Sequence, residues 1–288
     1  MPQPVILCAD DYALSPGVSR GILELIGRGR LSATGCMTVS PFWPEHALAL
    51  RPWAGRVDVG LHLTLTGHRP LGPMLRLAPE GRLPPLGRLL RLALARRLDA
   101  DEITAEVARQ IERFRQAFGA PPAFIDGHQH VHLLPGVRGA VLAAARELPG
   151  CWLRDCYEPL PAILRRGVAP AKAALIAGLG LALHRRIERD RLPANGSFRG
   201  IYDFSGRVPF AGLMARFLSP AGSGGTRPPL VMVHPGFPDA ELRRIDPVTD
   251  QRQVEYDFLA GEPFNRLLDE RDIAVARLTG TPCPGISD

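Results

Sequence analysis

Four short motifs bring together residue types that carry out hydrolytic chemistry. Two aspartates, Asp10 and Asp11, stand side by side after the apolar run PVILCA. The motifs VDVGLHLTLT, FIDGHQHVHLLPG and LVMVHPGF contain His62, Asp126, His128, His130, His132 and His234. One carboxylate and two imidazoles are a common ligand set for a divalent cation, with water in the remaining positions. Because such a cation lowers the pKa of bound water and polarises a carbonyl oxygen, these residues predict metal-assisted hydrolysis.

The paired aspartates have two interpretations. Adjacent strand residues point to opposite faces, but where a strand ends and the chain turns, both carboxylates can enter one cleft. One then binds the cation while its neighbour accepts a proton from the bound water. Without a cation the two carboxylates repel each other, and one tends to stay protonated. The pair taken alone is equally well explained as a cap for the helix that follows Ser15.

Each histidine motif also has a structural alternative. A single histidine such as His62 on an apolar strand is more often a hydrogen-bonded core residue, and His234 before Pro235 can belong to a turn. Three imidazoles within residues 128–132, placed on one face of a strand, are harder to explain by packing. The coincidence of all four motifs at predicted strand ends favours a functional site.

Short apolar runs alternate with helical patterns along the chain. The predicted strands are Val5–Ala9, Thr34–Val39, Val57–Leu63, Ala123–Asp126, Cys151–Arg154, Leu230–His234 and Ile273–Arg277. Helices are predicted after Ser15, over DEITAEVARQIERFRQAF up to Gly119, and over Val137–Leu148. This alternation predicts an α/β fold with parallel strands, best described as a distorted, TIM-like (β/α) barrel; a doubly wound sheet is the alternative.

A barrel explains how distant motifs can meet, since the C-terminal ends of parallel strands converge on one face. The prediction is a single domain over residues 1–288, with insertions near 67–100 and 155–229 on that face. Within the second insertion, SPAGSGGTRPP at 219–229 is predicted to be a flexible loop.

Composition narrows the function classes. The chain has 288 residues, with 45% hydrophobic and 22% charged residues, as in ordinary globular proteins. The formal charge of +6 comes almost wholly from scattered arginines, with Lys172 the only lysine, and no nucleic-acid-reading module is recognised. We therefore expect no nucleic-acid partner. The longest apolar stretch, interrupted by Pro170 and Lys172, is too short to span a bilayer.

Cysteine usage indicates the compartment. The five cysteines are odd in number and form no CxxC pair: Cys8, Cys36, Cys151, Cys156 and Cys283. This pattern favours reduced thiols in a cytoplasmic protein over a disulfide framework or a structural zinc site.

The four motifs resemble those of the YdjC-like carbohydrate deacetylases, which include chitooligosaccharide and hopanoid-associated deacetylases. ADDYALSPGVSRGI, VGLHLTLT, FIDGHQHVHLLPG and VHPGF occur in the family's order and span residues 5–237, and DGHQHVHLLPG is the most specific of them. The resemblance implies a distorted (β/α) barrel that binds one divalent cation, Mg²⁺ or Zn²⁺. It also implies removal of an N-acetyl group from an amino sugar, with release of acetate, and is compatible with a homodimer.

The resemblance assigns roles to individual residues. It places the metal ligands at Asp11, His62 and His128, the catalytic base at Asp10 and the general acid at His234. On this basis we expect His130 and His132 to orient ligands, line the cleft or contact sugar hydroxyls, and we expect Asp126 to orient an imidazole. With these three residues the predicted site has eight members.

Tyr12 and Ala13 stand where the family often has Phe-Gly. An alanine suits that turn only if the turn does not need positive φ. Because the substitution leaves the predicted ligands untouched, we expect activity to be retained.

Two other functions remain open: another single-metal hydrolase, such as an amidohydrolase or a phosphoesterase, and a non-catalytic sugar-binding protein on the same fold. The substrate also depends on residues 160–192, an Ala/Leu-rich helix bordered by arginines. This segment either packs on the barrel as a lid or lies on a membrane surface and admits a glycolipid. In the second case the protein is peripheral at the inner membrane surface.

Overall fold

Eight parallel strands curl around one core in the computed structural model, which describes residues 2–219 and 227–279. The described strands are β1 (Gln3–Tyr12), β2 (Ala33–Cys36), β3 (Asp58–Leu63), β4 (Phe124–Gly127), β5 (Trp152–Leu153), β6 (Phe198–Arg199), β7 (Leu230–Val233) and β8 (Ile273–Val275). Their order is β5-β4-β3-β2-β1-β7-β6, and β8 pairs with the beginning of β1. Most of the loop predicted at 219–229 lies outside the described residues, as does Cys283.

A single segment joins the two edges of this sheet. Leu153 of β5 forms a parallel bridge with Ala194, and its N–H donates to the Pro193 carbonyl over 2.9 Å. The chain then continues into β6, which pairs with β7. The strands therefore form the distorted (β/α) barrel that the sequence predicted, and the two-residue strands β5 and β6 stand at the two edges that this segment joins.

Helices cover the outside of the barrel. They are α1 (Pro16–Gly27), α2 (Trp43–Leu50), α3 (Leu86–Leu94), α4 (Ala100–Phe118), α5 (Arg138–Arg146), α6 (Leu160–Arg166), α7 (Pro170–Asp190), α8 (Phe210–Phe217), α9 (Ala240–Ile245), α10 (Asp250–Ala260) and α11 (Glu262–Glu270). The Ser15 side chain caps α1 by accepting from the Val18 N–H, as predicted. Helix α4 buries Ile103, Val107, Phe114 and Phe118 at helical spacing and ends at Gly119, which has φ 92°.

Several strand boundaries differ from the prediction. Strand β2 ends at Cys36 because the chain turns there: the Ser40 N–H donates to the Met37 carbonyl, and Pro41 has no N–H to extend a ladder. Strand β7 ends at Val233, one residue before His234. Strand β6 was missed, because two residues are too few to show an alternating pattern.

The four cysteines that the structure describes are buried and unpaired, as expected of reduced thiols. Helix α7, which is 21 residues long, packs Ala173, Ile176, Ala177, Gly180, Leu183 and Ile187 inward. None of the helices in the described part of the chain has both the length and the apolar character required to cross a membrane.

Close packing beneath the face where the motifs meet makes one glycine sensitive to substitution. A Cβ on Gly60 of β3 would lie 2.4 Å from the ring of Phe124, which is fully buried and stacked on Trp152 at 4.3 Å. We expect Gly60→Ala to lower the free energy of unfolding by about 1–3 kcal/mol through overpacking. Urea unfolding measures this change.

The matched control is Gly178→Ala on the exposed side of α7, where a new Cβ meets nothing within 4 Å. Its higher helix propensity should raise stability by up to about 1 kcal/mol. Equal effects of the two substitutions would contradict the packing described for β3 and β4.

Candidate active site

The strand ends bring most of the predicted site residues into one cavity. Its volume is about 340 Å³, and its polar lining includes Asp10, Asp11, His62, His128, His130 and His234. Residues from both predicted insertions also line it, including Leu86, Lys172 and Tyr202. Asp126 and His132 are fully buried behind this lining.

An irregular end to β1 lets both aspartates face the cavity. The pairing with β2 shifts register between Ala9 and Tyr12, and Asp11 takes a left-handed φ of 68°. The turn then continues through Ala13, whose φ is 70°. We expected an alanine to suit this turn only if the turn did not need positive φ, and that expectation was wrong. The turn does use positive φ at Ala13, and the left-handed backbone of this alanine costs about 1–2 kcal/mol.

Asp11, His62 and His128 form a group that can hold a metal ion. Oδ1 of Asp11 lies 2.9 Å from Nδ1 of His128 and 3.3 Å from Nε2 of His62, and one ligand atom from each residue falls within 4.8 Å of the others. A carboxylate and two imidazoles suit a divalent cation with further positions open to water. The residues present therefore fit the cation that the sequence motifs implied.

Asp126 fixes the orientation of His62. Its Oδ1 lies 2.7 Å from Nδ1 of His62, so the Nε2 atom faces Asp11. Burial alone would lower the pKa of His62, but the charges of Asp126 and Asp10 and the hydrogen bond with Asp11 raise it to about 10. The same negative field that holds a proton here favours a metal cation in its place. This contact is the basis on which the orienting role of Asp126 stays a prediction.

Arg252 holds the second oxygen of Asp11. Its Nη2 lies 2.7 Å from Oδ2, and the guanidinium is almost fully buried. Burial favours the neutral carboxyl, but Arg252 and His128 outweigh it and hold the pKa of Asp11 well below its usual range. Asp11 is therefore ionised at neutral pH, with Oδ1 left for the two imidazoles. Sequence reasoning missed Arg252, since nothing distinguishes this arginine from the many others in the chain.

Arg154 plays the corresponding part for Asp10. It lies at the end of β5, fully buried, and donates from Nη1 and Nη2 to the two oxygens of Asp10 over 2.7 and 2.5 Å. Its Nη2 is also 2.5 Å from Oδ2 of Asp126 and 3.1 Å from Sγ of Cys8. Cys8, Asp10 and Asp126 could also hold a cation by distance, but this guanidinium already supplies their positive charge. The signal that could have revealed Arg154 is its position at a predicted strand end.

The placement of three histidines on one strand face was wrong. Strand β4 ends at Gly127, and residues 128–133 form a short 3₁₀ segment in which Gln129 and His130 have left-handed φ values of 53° and 60°. Only a glycine fits at 127, because a Cβ there would lie 2.9 Å from the His132 backbone nitrogen. The three imidazoles consequently point to three different places.

Only His128 of this run faces Asp11. His130 lines the cavity with its ring 5.6 Å from that of Phe198. His132 lies behind the site, with Nε2 3.2 Å from the carbonyl oxygen of Arg154. Burial holds the pKa of His130 well below its usual range and lowers that of His132 to about 3, so both are neutral. His132 therefore supports the backbone that carries Arg154.

His234 follows β7 directly and approaches Asp10 from the other side. Its Nε2 lies 4.0 Å from Oδ2 of Asp10, and its ring meets that of Phe204 edge-on at 5.1 Å. Burial lowers the pKa of His234 to about 4, so the imidazole is neutral at pH 7. Its backbone N–H donates to Glu255 of α10 over 2.6 Å, and the Tyr202 hydroxyl donates to the other Glu255 oxygen.

The fold and the site together define the class of protein. It is a parallel (β/α) barrel in which carboxylates and imidazoles gather at the strand ends. The family model described as YdjC-like protein matches residues 4–270, and the chain belongs to this family. The resemblance inferred from the four motifs is therefore confirmed.

Curated and solved proteins resemble the chain over almost its whole length. A chitooligosaccharide deacetylase from Serratia marcescens is 32% identical over 94% of this chain and 96% of its own, and one from Proteus mirabilis is 30% identical over the same shares. A crystal structure from Enterococcus faecalis, described as a cellobiose-phosphate cleavage protein, superposes with a TM-score of 0.73. It covers 97% of this chain and 98% of its own at 22% identity, which supports the fold.

The contact between Asp126 and His62 gives a prediction for metal binding. Replacing a residue that orients a metal-bound histidine typically weakens affinity about 10- to 100-fold. We expect this loss for Zn²⁺ in Asp126→Asn, measured by titration calorimetry on EDTA-treated protein. The control is Asp155→Asn, which alters a similar carboxylate–imidazole pair, 2.6 Å from His184, outside the cavity. Unchanged affinity in Asp126→Asn would contradict the assignment of His62 as an oriented ligand.

Glu255 gives a prediction for the pH dependence of stability. Burial raises its pKa from about 4.5 to about 7, against the hydrogen bonds from Tyr202 and His234. The folded protein therefore holds this proton more tightly than the unfolded chain does, so the contribution to stability is lost as pH rises through 7.

The variant Glu255→Gln cannot titrate at this position. The free energy of unfolding of the variant minus that of the wild type should therefore be larger at pH 8 than at pH 4.5. We expect the increase to be on the order of 3 kcal/mol. Urea unfolding across this range measures the difference. Parallel stability curves for the two proteins would contradict it.

Proposed function

We propose that this protein is a metal-dependent hydrolase that removes an N-acetyl group from an amino sugar and releases acetate. The class of activity, carbohydrate deacetylation, is supported by the family and by the names of the curated relatives. The observation that carries the proposal is that two neighbouring carboxylates in one cavity have different partners. Asp11 faces two imidazoles, whereas Asp10 faces an arginine and His234.

Asp11, His62 and His128 are the residues that would hold the cation. When bound, a divalent cation supplies an acidic water molecule and stabilises negative charge on the amide oxygen. The donor set favours Zn²⁺, because imidazole nitrogen suits zinc while Mg²⁺ prefers oxygen ligands. Arg252 keeps Asp11 ionised and occupies Oδ2, so that Oδ1 faces the two imidazoles.

Asp10 acts as the general base in this proposal. Arg154 donates to both of its oxygens and holds the carboxylate at the cavity wall. The carboxylate is therefore already in position to accept a proton. His234 serves as the general acid toward the departing amine. Because burial keeps His234 neutral before the reaction, it must take up its proton during the cycle, and Asp10 at 4.0 Å is the adjacent group.

One feature of the cavity favours a glycolipid as a second candidate substrate. Leu86 and Leu90 of α3 and Leu175, Ile176 and Leu179 of α7 form an apolar part of the lining. Leu175 is also 61% exposed, so this apolar surface continues outward. An amino sugar attached to an apolar group would bury that group here, whereas a free oligosaccharide would leave the leucines in contact with water.

Acetate release tests the proposed function. EDTA-treated protein and protein restored with Zn²⁺ or Mg²⁺ are assayed on N-acetylglucosamine, diacetylchitobiose and an N-acetylglucosaminyl lipid. We expect release only with metal, and the preferred acceptor separates soluble sugar from glycolipid. A metal-loaded protein that releases no acetate from any of them would contradict the deacetylase proposal.

The adjacent aspartates allow a matched comparison of their roles. We expect Asp10→Asn to retain Zn²⁺ but to lower kcat by about 10²- to 10⁴-fold, the usual range for a lost general base. Asp11→Asn should lose both metal affinity and activity. Calorimetry and acetate release on both variants measure this, and normal turnover in Asp10→Asn would show that the base has been misassigned.

A further inference from the structure

Lys172 stands apart from every other basic residue in the chain. It is the only lysine among 35 basic residues, so arginine occupies every other position that needs a cationic side chain. Lys172 is itself exposed, so its rarity only directs attention to its position. What its side chain offers there is a compact ammonium on a flexible stem, with three rotatable donors.

This lysine lies in the first turn of α7, at the wall of the candidate active site. Its Nζ donates to the carbonyl oxygen of Tyr202 over 2.8 Å and sits 5.2 Å from the centroid of the Phe204 ring. The same ring contacts His234 at 5.1 Å. Lys172 is thus connected to the proposed general acid through one aromatic side chain, and all four residues line the cavity.

The ammonium of Lys172, which lines the cavity, retains donor capacity. An ammonium has three N–H donors, and the Tyr202 carbonyl accounts for one. Within the described part of the chain, no carboxylate forms an ion pair with Nζ at 4 Å or less. Burial lowers the pKa of Lys172, against the charge of Asp203. On α7 the nearby lining is apolar, from Leu175, Ile176 and Leu179.

We propose that Lys172 is a substrate-binding residue that donates hydrogen bonds to an oxygen-bearing group attached to the acetylated amino sugar. The group is either a hydroxyl of a neighbouring sugar or an anionic oxygen such as a phosphate. This inference rests on the proposed function and deepens it, because it assigns the contact beyond the reacting acetamide. Lys172 lies beside the apolar lining of α7, and it would select this part of the substrate by its oxygens.

Steady-state kinetics on diacetylchitobiose separates binding from chemistry. A hydrogen bond from a charged group is worth about 1.5–3 kcal/mol, so Lys172→Met should raise KM by about 10- to 100-fold while kcat stays within about twofold. Lys172→Arg keeps the charge and should recover part of the loss. Arg185→Met removes an exposed cation from the same helix outside the cavity and should leave KM unchanged.

Thermal unfolding of the three variants detects the alternative, in which Lys172 only ties α7 to the Tyr202 carbonyl. In that case Lys172→Met lowers Tm and leaves KM unchanged, and the proposal is overturned. A raised KM with an unchanged Tm supports it.

Chemical labelling tests the contact without relying on turnover. Reductive methylation modifies primary amines, and in this chain these are Lys172 and the amino terminus. Peptide mass analysis follows Lys172 and the amino terminus separately, with Zn²⁺ present, in buffer, in diacetylchitobiose and in inorganic phosphate. We expect at least one of the two ligands to slow its modification several-fold while the amino terminus reacts at a constant rate.

The outcomes are distinguishable. Protection by the disaccharide identifies a hydroxyl partner, and protection by phosphate identifies an anionic one. Protection together with absent acetate release would refute the proposed function and leave the Lys172 contact standing. No protection by either ligand, in a protein that does release acetate, would refute the Lys172 contact alone. The absence of both protection and release would refute both.

Discussion

Charge compensation among three buried aspartates is the constraint on which the site depends. Asp10, Asp11 and Asp126 lie together at the barrel end with 2% or less of their surface exposed. Burying a carboxylate charge at this depth is costly unless a positive charge lies beside it. Arg154 forms ion pairs with Asp10 and Asp126, and Arg252 forms one with Asp11. The remaining oxygen of Asp11 faces no arginine but the imidazoles of His62 and His128, and this is where we propose that a divalent cation binds.

The barrel places these charges by combining elements distant in sequence. Strand β1 supplies the aspartates, the ends of β3, β4 and β7 supply the imidazoles, and β5 and α10 supply the arginines. One turn of α10 supports both halves of the site, since Arg252 holds Asp11 and, three residues later, Glu255 holds the backbone of His234. The segments inserted between the strands then enclose the reacting groups in a largely apolar cavity.

The sequence predicted the barrel and the gathering of the motif residues, because strand periodicity and short polar motifs are local signals. It did not predict what the HxHxH run does, since the strand ends at Gly127 and the backbone turns left-handed at Gln129 and His130, residue types that do not signal such a turn. It also missed Arg154, Arg252 and Glu255. Their importance comes from burial against distant carboxylates and backbone groups, and single residues of common types carry no local pattern that would reveal this.

Anomalous diffraction at the zinc edge, from crystals of the metal-loaded protein, tests the central claim most directly. We expect one zinc ion per chain, bound by an Asp11 oxygen and by nitrogens of His62 and His128 at about 2.0–2.2 Å, with Arg252 still on the other Asp11 oxygen. An ion bound instead by Cys8, Asp10 and Asp126, with Arg154 displaced, would contradict the assignment of ligand and base to the two neighbouring aspartates.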